Sequence, residues 1–122
     1  MSENKVLNIY STADIIRVRM EVRDAARSMG LNTRDQALIS LATSTLTNAL
    51  GLGLGRRVGT ITIECLNQEK NKGLRVVCAA KNTKISEPVD GVTKDVRWMV
   101  DALDISDPVS DQVEIALIKW AT

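Results

Sequence analysis

Apolar residues recur along this chain at two periods, and the order in which those periods alternate predicts the architecture. Val6 to Tyr10 reads as a short strand. Ile15, Val18, Val22, Ala25, Ala26 and Met29 then fall at helical spacing, which predicts an amphipathic helix over Ala13 to Met29. Ser11 stands where a capping side chain is needed, Asp14 lies near the positive end of the helix dipole, and Gly30 supplies a left-handed residue to end the helix. A capping box, Thr33-x-x-Gln36, opens a second helix on which Leu38, Leu41, Ala42, Thr45, Leu46 and Ala49 share an inner face. Val58 to Cys65 and Leu74 to Ala79 read as strands of a hairpin joined by the polar turn Asn67 to Lys72. After an irregular stretch from Ala80 to Gly91 comes a third helix, Lys94 to Leu103, and Ile105 and Val113 to Trp120 supply the last two strands. With no repeats or linkers, residues 1–122 form one domain, an α+β two-layer sandwich with helices on one face of a mainly antiparallel sheet.

Composition narrows the chemistry this scaffold can carry. The chain has 122 residues, 44% hydrophobic and only 2% aromatic with no Phe, so a single core must be built from aliphatic side chains. The absence of histidine removes Ser-His-Asp and Cys-His nucleophilic sites and His-ligated zinc. Two cysteines cannot make a four-thiolate site, and a hairpin centred on the Asn67 to Lys72 turn leaves Cys65 and Cys78 out of register, as free thiols. The net charge of +1 gives no footprint for nucleic acid or an anionic membrane, which leaves protein partners or a small ligand. No apolar run approaches a membrane span and the first residues lack a signal-peptide core, so a cytoplasmic location is expected.

Several segments in sequence order resemble the anti-sigma-factor serine kinases, small proteins with the histidine-kinase-type (GHKL) ATPase fold. Leu7-Asn8-Ile9-Tyr10-Ser11 with Asp14-Ile15-Ile16-Arg17-Val18-Arg19 is similar to that family's first strand and helix, and Gly59-Thr60-Ile61-Thr62-Ile63-Glu64 to its second strand. Val96 to Asp101 followed by Leu103-Asp104-Ile105, and finally Ile118-Lys119-Trp120, resemble its C-terminal elements. The run Gly30 to Leu50 resembles its second helix, where the family carries Glu-x-x-x-Asn: the Glu helps to activate the attacking group and the Asn holds Mg²⁺ on the nucleotide phosphates. Here the Glu position is Thr45 and the Asn position is Ala49, with Asn48 one residue early.

The other nucleotide motifs depart in the same direction. The family's Asp-x-Gly-x-Gly, which reads adenine and clears room for the ligand, becomes Ala80-Lys81-Asn82-Thr83-Lys84, so Ala80 has no acceptor and Asn82 and Lys84 add side chains where glycines stood. The glycine-rich lid is represented by Gly91 alone, within Pro88 to Val92. A Gly-x-Gly-x-Gly run at Gly51-Leu52-Gly53-Leu54-Gly55 lies after a helix and before a strand, the reverse of a dinucleotide fingerprint, and reads as a connection starting at the helix cap, with Arg56 and Arg57 as residual anion-binding candidates. The resemblance then implies a partner-switching protein-binding module of the anti-sigma type without phosphoryl transfer. Its expected partner is a sigma factor or an anti-anti-sigma-type, STAS-like domain, and its expected state a monomer or homodimer. No cofactor is expected; ATP and Mg²⁺ would be bound only if the site works after all. The candidate partner surface is the row Arg19, Arg23 and Arg27 with Arg56 and Arg57. Two alternatives remain: an active serine kinase in which Asn48 takes the metal and Asp35 or Glu64 supplies charge, and a structural subunit of a regulatory assembly.

Overall fold

A computed structural model describes residues 4–52, 59–68, 70–81, 87–106 and 112–121. The chain runs β1 (Asn4–Ile9), α1 (Thr12–Ser28), α2 (Thr33–Ala49), β2 (Gly59–Gln68), β3 (Asn71–Lys81), α3 (Glu87–Arg97), β4 (Ala102–Ser106) and β5 (Gln112–Trp120). The strands form one antiparallel sheet in the order β1-β2-β3-β5-β4. Alternation along each strand sends one set of side chains to the helices. Leu7, Ile61, Cys78, Ile115 and Ile105 make a continuous row across all five strands. Ile15, Val18, Val22 and Ala26 of α1 and Ile39, Ala42 and Leu46 of α2 complete the core above it. The two-layer α+β sandwich expected from the alternation of periods is the architecture observed.

The last pair of the β2–β3 hairpin is Gln68 with Asn71, and its register pairs Cys65 with Leu74 and Cys78 with Ile61. Both cysteines are free thiols, as the turn position implied. Burial pushes the Cys78 thiol up to about 12, opposed more weakly by the neighbouring Thr47 hydroxyl, so it behaves as a small apolar residue.

Helix termini carry much of the local specification. At the start of α1 the Asp14 carboxylate accepts hydrogen bonds from the backbone N–H of Tyr10 (2.8 Å) and Ser11 (3.1 Å) and from the Ser11 hydroxyl (3.3 Å). Its end is a Schellman motif: Gly30 at φ +87° donates to Arg27 O, Leu31 N donates to Ala26 O, and Leu31 is buried. The same device ends α2. Gly51 at φ +75° donates to Asn48 O, Leu52 N donates to Thr47 O, and Leu52 is buried. The Gly51 part of the glycine run is therefore a helix cap, while Gly53 and Gly55 lie outside the described residues.

Three expectations are corrected. The cap of α2 is Asn32, whose Oδ1 accepts from Asp35 N at 2.8 Å, rather than Thr33, and the Gln36 side chain reaches back to Leu31 O. The third helix spans Glu87–Arg97, not Lys94 to Leu103. Pro88 falls in its first turn, where a missing N–H costs nothing. The helix stops short of Leu103 because Asp101 draws the chain into β4: its N–H donates to Ile118 O and its carboxylate accepts from Trp120 N at 2.7 Å. Finally, the inner face of α2 is turned. Ile39, Ser40, Ala42, Thr43, Ser44, Leu46 and Thr47 are buried, Leu41 is 46% exposed, and Leu38, Thr45 and Ala49 are half-buried.

Two outcomes follow from the termini. Replacing Gly30 by Ala should lower stability by about 1–2 kcal/mol, the cost of a left-handed residue with a Cβ, whereas Gly91→Ala, inside α3 with open space around it, should raise it by about 0.5–1 kcal/mol; denaturant melts of both variants check this. The main-chain hydrogen bond from Tyr10 above all, joined by Ser11 and the charge of Arg17 and opposed by partial desolvation, holds the Asp14 carboxyl below its ordinary value of 3.8. A depressed folded value means stability that is present above 3.8 and lost as pH falls through the lower folded value. Melting curves of Asp14→Ala should therefore lie below wild type at neutral pH and converge with it in acid.

Candidate functional site

The sequence-predicted nucleotide positions sit around the C-terminal half of α2 and the end of β3. Thr45 and Ala49 are half-buried and Asn48 is exposed on α2, while Ala80 on β3 is only 1% exposed. Asn82 and Lys84 lie outside the described residues. Gly91 is an exposed position inside α3, so it is part of a helix rather than of a phosphate-cradling loop.

On its core side Ala80 is packed by apolar residues. Its cross-strand neighbours are Gly59 and Val113. Leu52, fixed by the Schellman turn, lies directly on Gly59, where a Cβ would run into both of its methyl groups and the Ala79 carbonyl. Leu50, Leu52 and Val113 are all essentially without solvent contact. A carboxylate at residue 80 would enter this packing without a compensating donor.

At the same ends of the strands lies a cavity of about 330 Å³, bordered by Asn8, Gly59, Thr60, Ala79, Ala80, Gln112 and Glu114. That volume is within the range of small-ligand sites. The one charged side chain among these residues is Glu114, the wrong sign for a polyphosphate. Among the described residues no group of three His, Cys, Asp or Glu is placed to hold a metal ion.

The acids offered as substitutes are elsewhere. Asp35 is at the opposite end of α2 from Asn48, thirteen residues away and so about 20 Å along the axis, and it faces Lys119 Nζ at 3.6 Å. Lys119 is also 3.7 Å from Asp101, so this cation ties the start of α2 to the start of β4. Glu64 pairs with Arg75 at 2.8 Å on the sheet face that carries no helix. Neither is near the positions that resemble the family's acid.

The arginine row on α1 is present but divided. Arg19, Arg23 and Arg27 are all exposed. Arg27 is paired with Asp24 at 3.1 Å, whereas no ion pair engages Arg19 or Arg23 among the described residues. Arg56 and Arg57 lie outside the described residues. The row also has apolar company that the sequence reading missed: Ile16 and Met20 are 56% and 63% exposed. With Arg19, Arg23 and Ser40 of α2 they line a groove of about 190 Å³. The signal was available, since Ile16 and Met20 are the two large apolar residues of α1 that fall off its core stripe. The groove is held in shape by the Ser40 hydroxyl, which donates to Arg19 O at 3.2 Å.

No helix among the described residues is long and apolar enough to cross a membrane. No protein-family model matches the chain. Over 133 aligned positions, covering 98% of both proteins, the chain is 26% identical to the serine/threonine-protein kinase RsbT of Bacillus subtilis (strain 168), which makes it a distant full-length relative of a kinase and agrees with the kinase-like side of the resemblance read from its sequence.

Proposed function

We propose that this chain is a regulatory protein-binding module of the anti-sigma serine-kinase type, acting by partner switching without transferring phosphate. The observation that carries the reading is the state of residue 80. The position that resembles the family's adenine-reading Asp is an alanine only 1% exposed, paired across the sheet with the Gly59 on which Leu52 packs, and the positions resembling the catalytic acid and the metal-binding Asn are Thr45 and Ala49. Phosphoryl transfer depends almost wholly on positioning and charge stabilisation, and all three groups that would supply them are absent from these positions. The full-length likeness to RsbT supports retention of the family scaffold. The exposed groove with two unpaired arginines supports retention of protein binding. The partner on this reading is a sigma factor or a STAS-like anti-anti-sigma domain, and competition between partners sets the output.

A second reading is favoured by the relative itself, which is named a kinase: the chain would bind ATP and Mg²⁺ and phosphorylate a serine of a STAS-like partner. The two readings separate on nucleotide. ATP with Mg²⁺ should leave the melting temperature unchanged, whereas a ligand at about 100 times its dissociation constant adds about 2.7 kcal/mol. A clear shift, or transfer of the γ-phosphate to a STAS-like domain, would sink the first reading.

Restoring the missing groups tests the packing argument. Ala80→Asp should cost about 3–5 kcal/mol, the penalty for an unpaired buried charge, while Thr45→Glu, at a half-buried position, should cost about 1 kcal/mol or less. Urea denaturation reads both. If Ala80→Asp were tolerated and conferred ATP binding, the filled packing around residue 80 would not be the obstacle.

A further inference from the structure

The groove between α1 and α2 combines features that specify its occupant. Its floor and walls are Ile16, Met20 and Ser40, and its rim carries Arg19 and Arg23 one helical turn apart. Some cations of the described surface are neutralised locally, Lys5 by Glu21, Arg27 by Asp24, Arg75 by Glu64 and Lys119 by Asp35 and Asp101. Arg19 and Arg23 have no ion pair among the described residues, and what sets them apart is that they border the place where two large apolar side chains, Ile16 and Met20, are left in water. Exposed apolar surface bordered by unpaired charge of one sign is the composition of a protein-binding patch, with arginine stems adding apolar area and their forks adding acceptor specificity.

We propose that the α1–α2 groove is a docking site for an acidic amphipathic helix of a partner protein, whose apolar row seats on Ile16 and Met20 while flanking carboxylates pair with Arg19 and Arg23. This deepens the partner-switching reading and rests on it. A groove between two packed helices accepts a third helix by its apolar i, i+4 row. A second copy of this chain is a poor fit, because a two-fold contact through this groove would set Arg19 and Arg23 against their own equivalents. Nucleic acid is also a poor fit, since two adjacent guanidinium groups on a chain of net charge +1 offer little phosphate neutralisation.

The test uses the full chain and two helix-stapled peptides that share one leucine row, flanked by Glu in the first and by Lys in the second. Isothermal titration should show the Glu peptide binding at least about tenfold more tightly than the Lys peptide, with amide shifts centred on residues 16 to 23 and 40. Charge reversal, Arg19→Glu with Arg23→Glu, should invert that preference, which misfolding could not do. Met20→Ser should weaken both peptides. Equal affinities, no binding of either peptide, an unchanged preference in the reversed variant, or self-association that Met20→Ser abolishes would each overturn the proposal. Such a failure with ATP-insensitive melting intact would remove the groove and leave the partner-switching reading standing; an ATP-induced shift with peptide binding intact would do the reverse.

Discussion

The structure depends on burying a helix that is not very apolar. Helix α2 is in contact with α1, α3, β3 and β5, yet four of its buried residues carry hydroxyls: Ser40, Thr43, Ser44 and Thr47. An unpaired hydroxyl in such a place would cost about 1–3 kcal/mol. Three of the four hand their hydrogen bonds back to their own helix, Thr43 to Ile39 O and Thr47 to Thr43 O at 2.7 Å and Ser44 to Leu41 O at 3.1 Å, and Ser40 donates to Arg19 O across the helix pair. No buried side-chain nitrogen or oxygen among the described residues lacks a partner. Small side chains satisfied in this way let the backbone of α2 approach its neighbours closely, and the positions of α1 and α3 follow from that approach.

Both ends of α2 are then fixed to the sheet by different means. At its start Lys119 of β5, its side chain only 12% exposed, lies between Asp35 and Asp101. At its end the Gly51 turn drops Leu52 onto Gly59. The first contact is electrostatic, and its separations of 3.6 and 3.7 Å are longer than hydrogen bonds. The second is a matter of fit, since the absence of a side chain at Gly59 is what admits Leu52. A helix held at both ends in this manner sets Thr45, Ala49 and the Arg19 to Ser40 contact without any ligand.

What could be read from the letters was whatever depended on local periodicity and on turns. The hairpin register followed from one polar turn, the Gly30 cap from one glycine, and the α1 core stripe from Ile15, Val18, Val22 and Ala26. The misreadings share a cause, which is that tertiary contacts outweighed an apolar count. Ser40, Thr43, Ser44 and Thr47 were passed over for the inner face of α2 because hydroxyls count as polar, although a helix can satisfy them internally. A helix over Lys94 to Leu103 overruns the true end at Arg97 because the pull of Asp101 toward β5 is invisible in the letters. For the candidate site, the residues at 45, 49 and 80 were legible, but the closure of residue 80 was not, because it depends on Leu52 reaching a glycine across a connection that sequence alone leaves open.

The fold therefore sets two different constraints at its two candidate sites. On the core side of Ala80 the requirement is packing, with Gly59 beside it shaped to receive Leu52, and introducing charge there opposes the core. Along the α1–α2 groove packing asks for nothing, since Ile16, Met20, Arg19 and Arg23 point to solvent and could be exchanged for polar residues at little cost to folding. Apolar and unpaired cationic side chains lying together at a position the fold does not need is an observation that stability does not account for. Binding accounts for it, because desolvating Ile16 and Met20 against a partner and pairing two free guanidinium groups are favourable only when that partner is present. The groove is thus a surface that folding of the described residues leaves unused, whereas the packing beside Ala80 is one that folding requires.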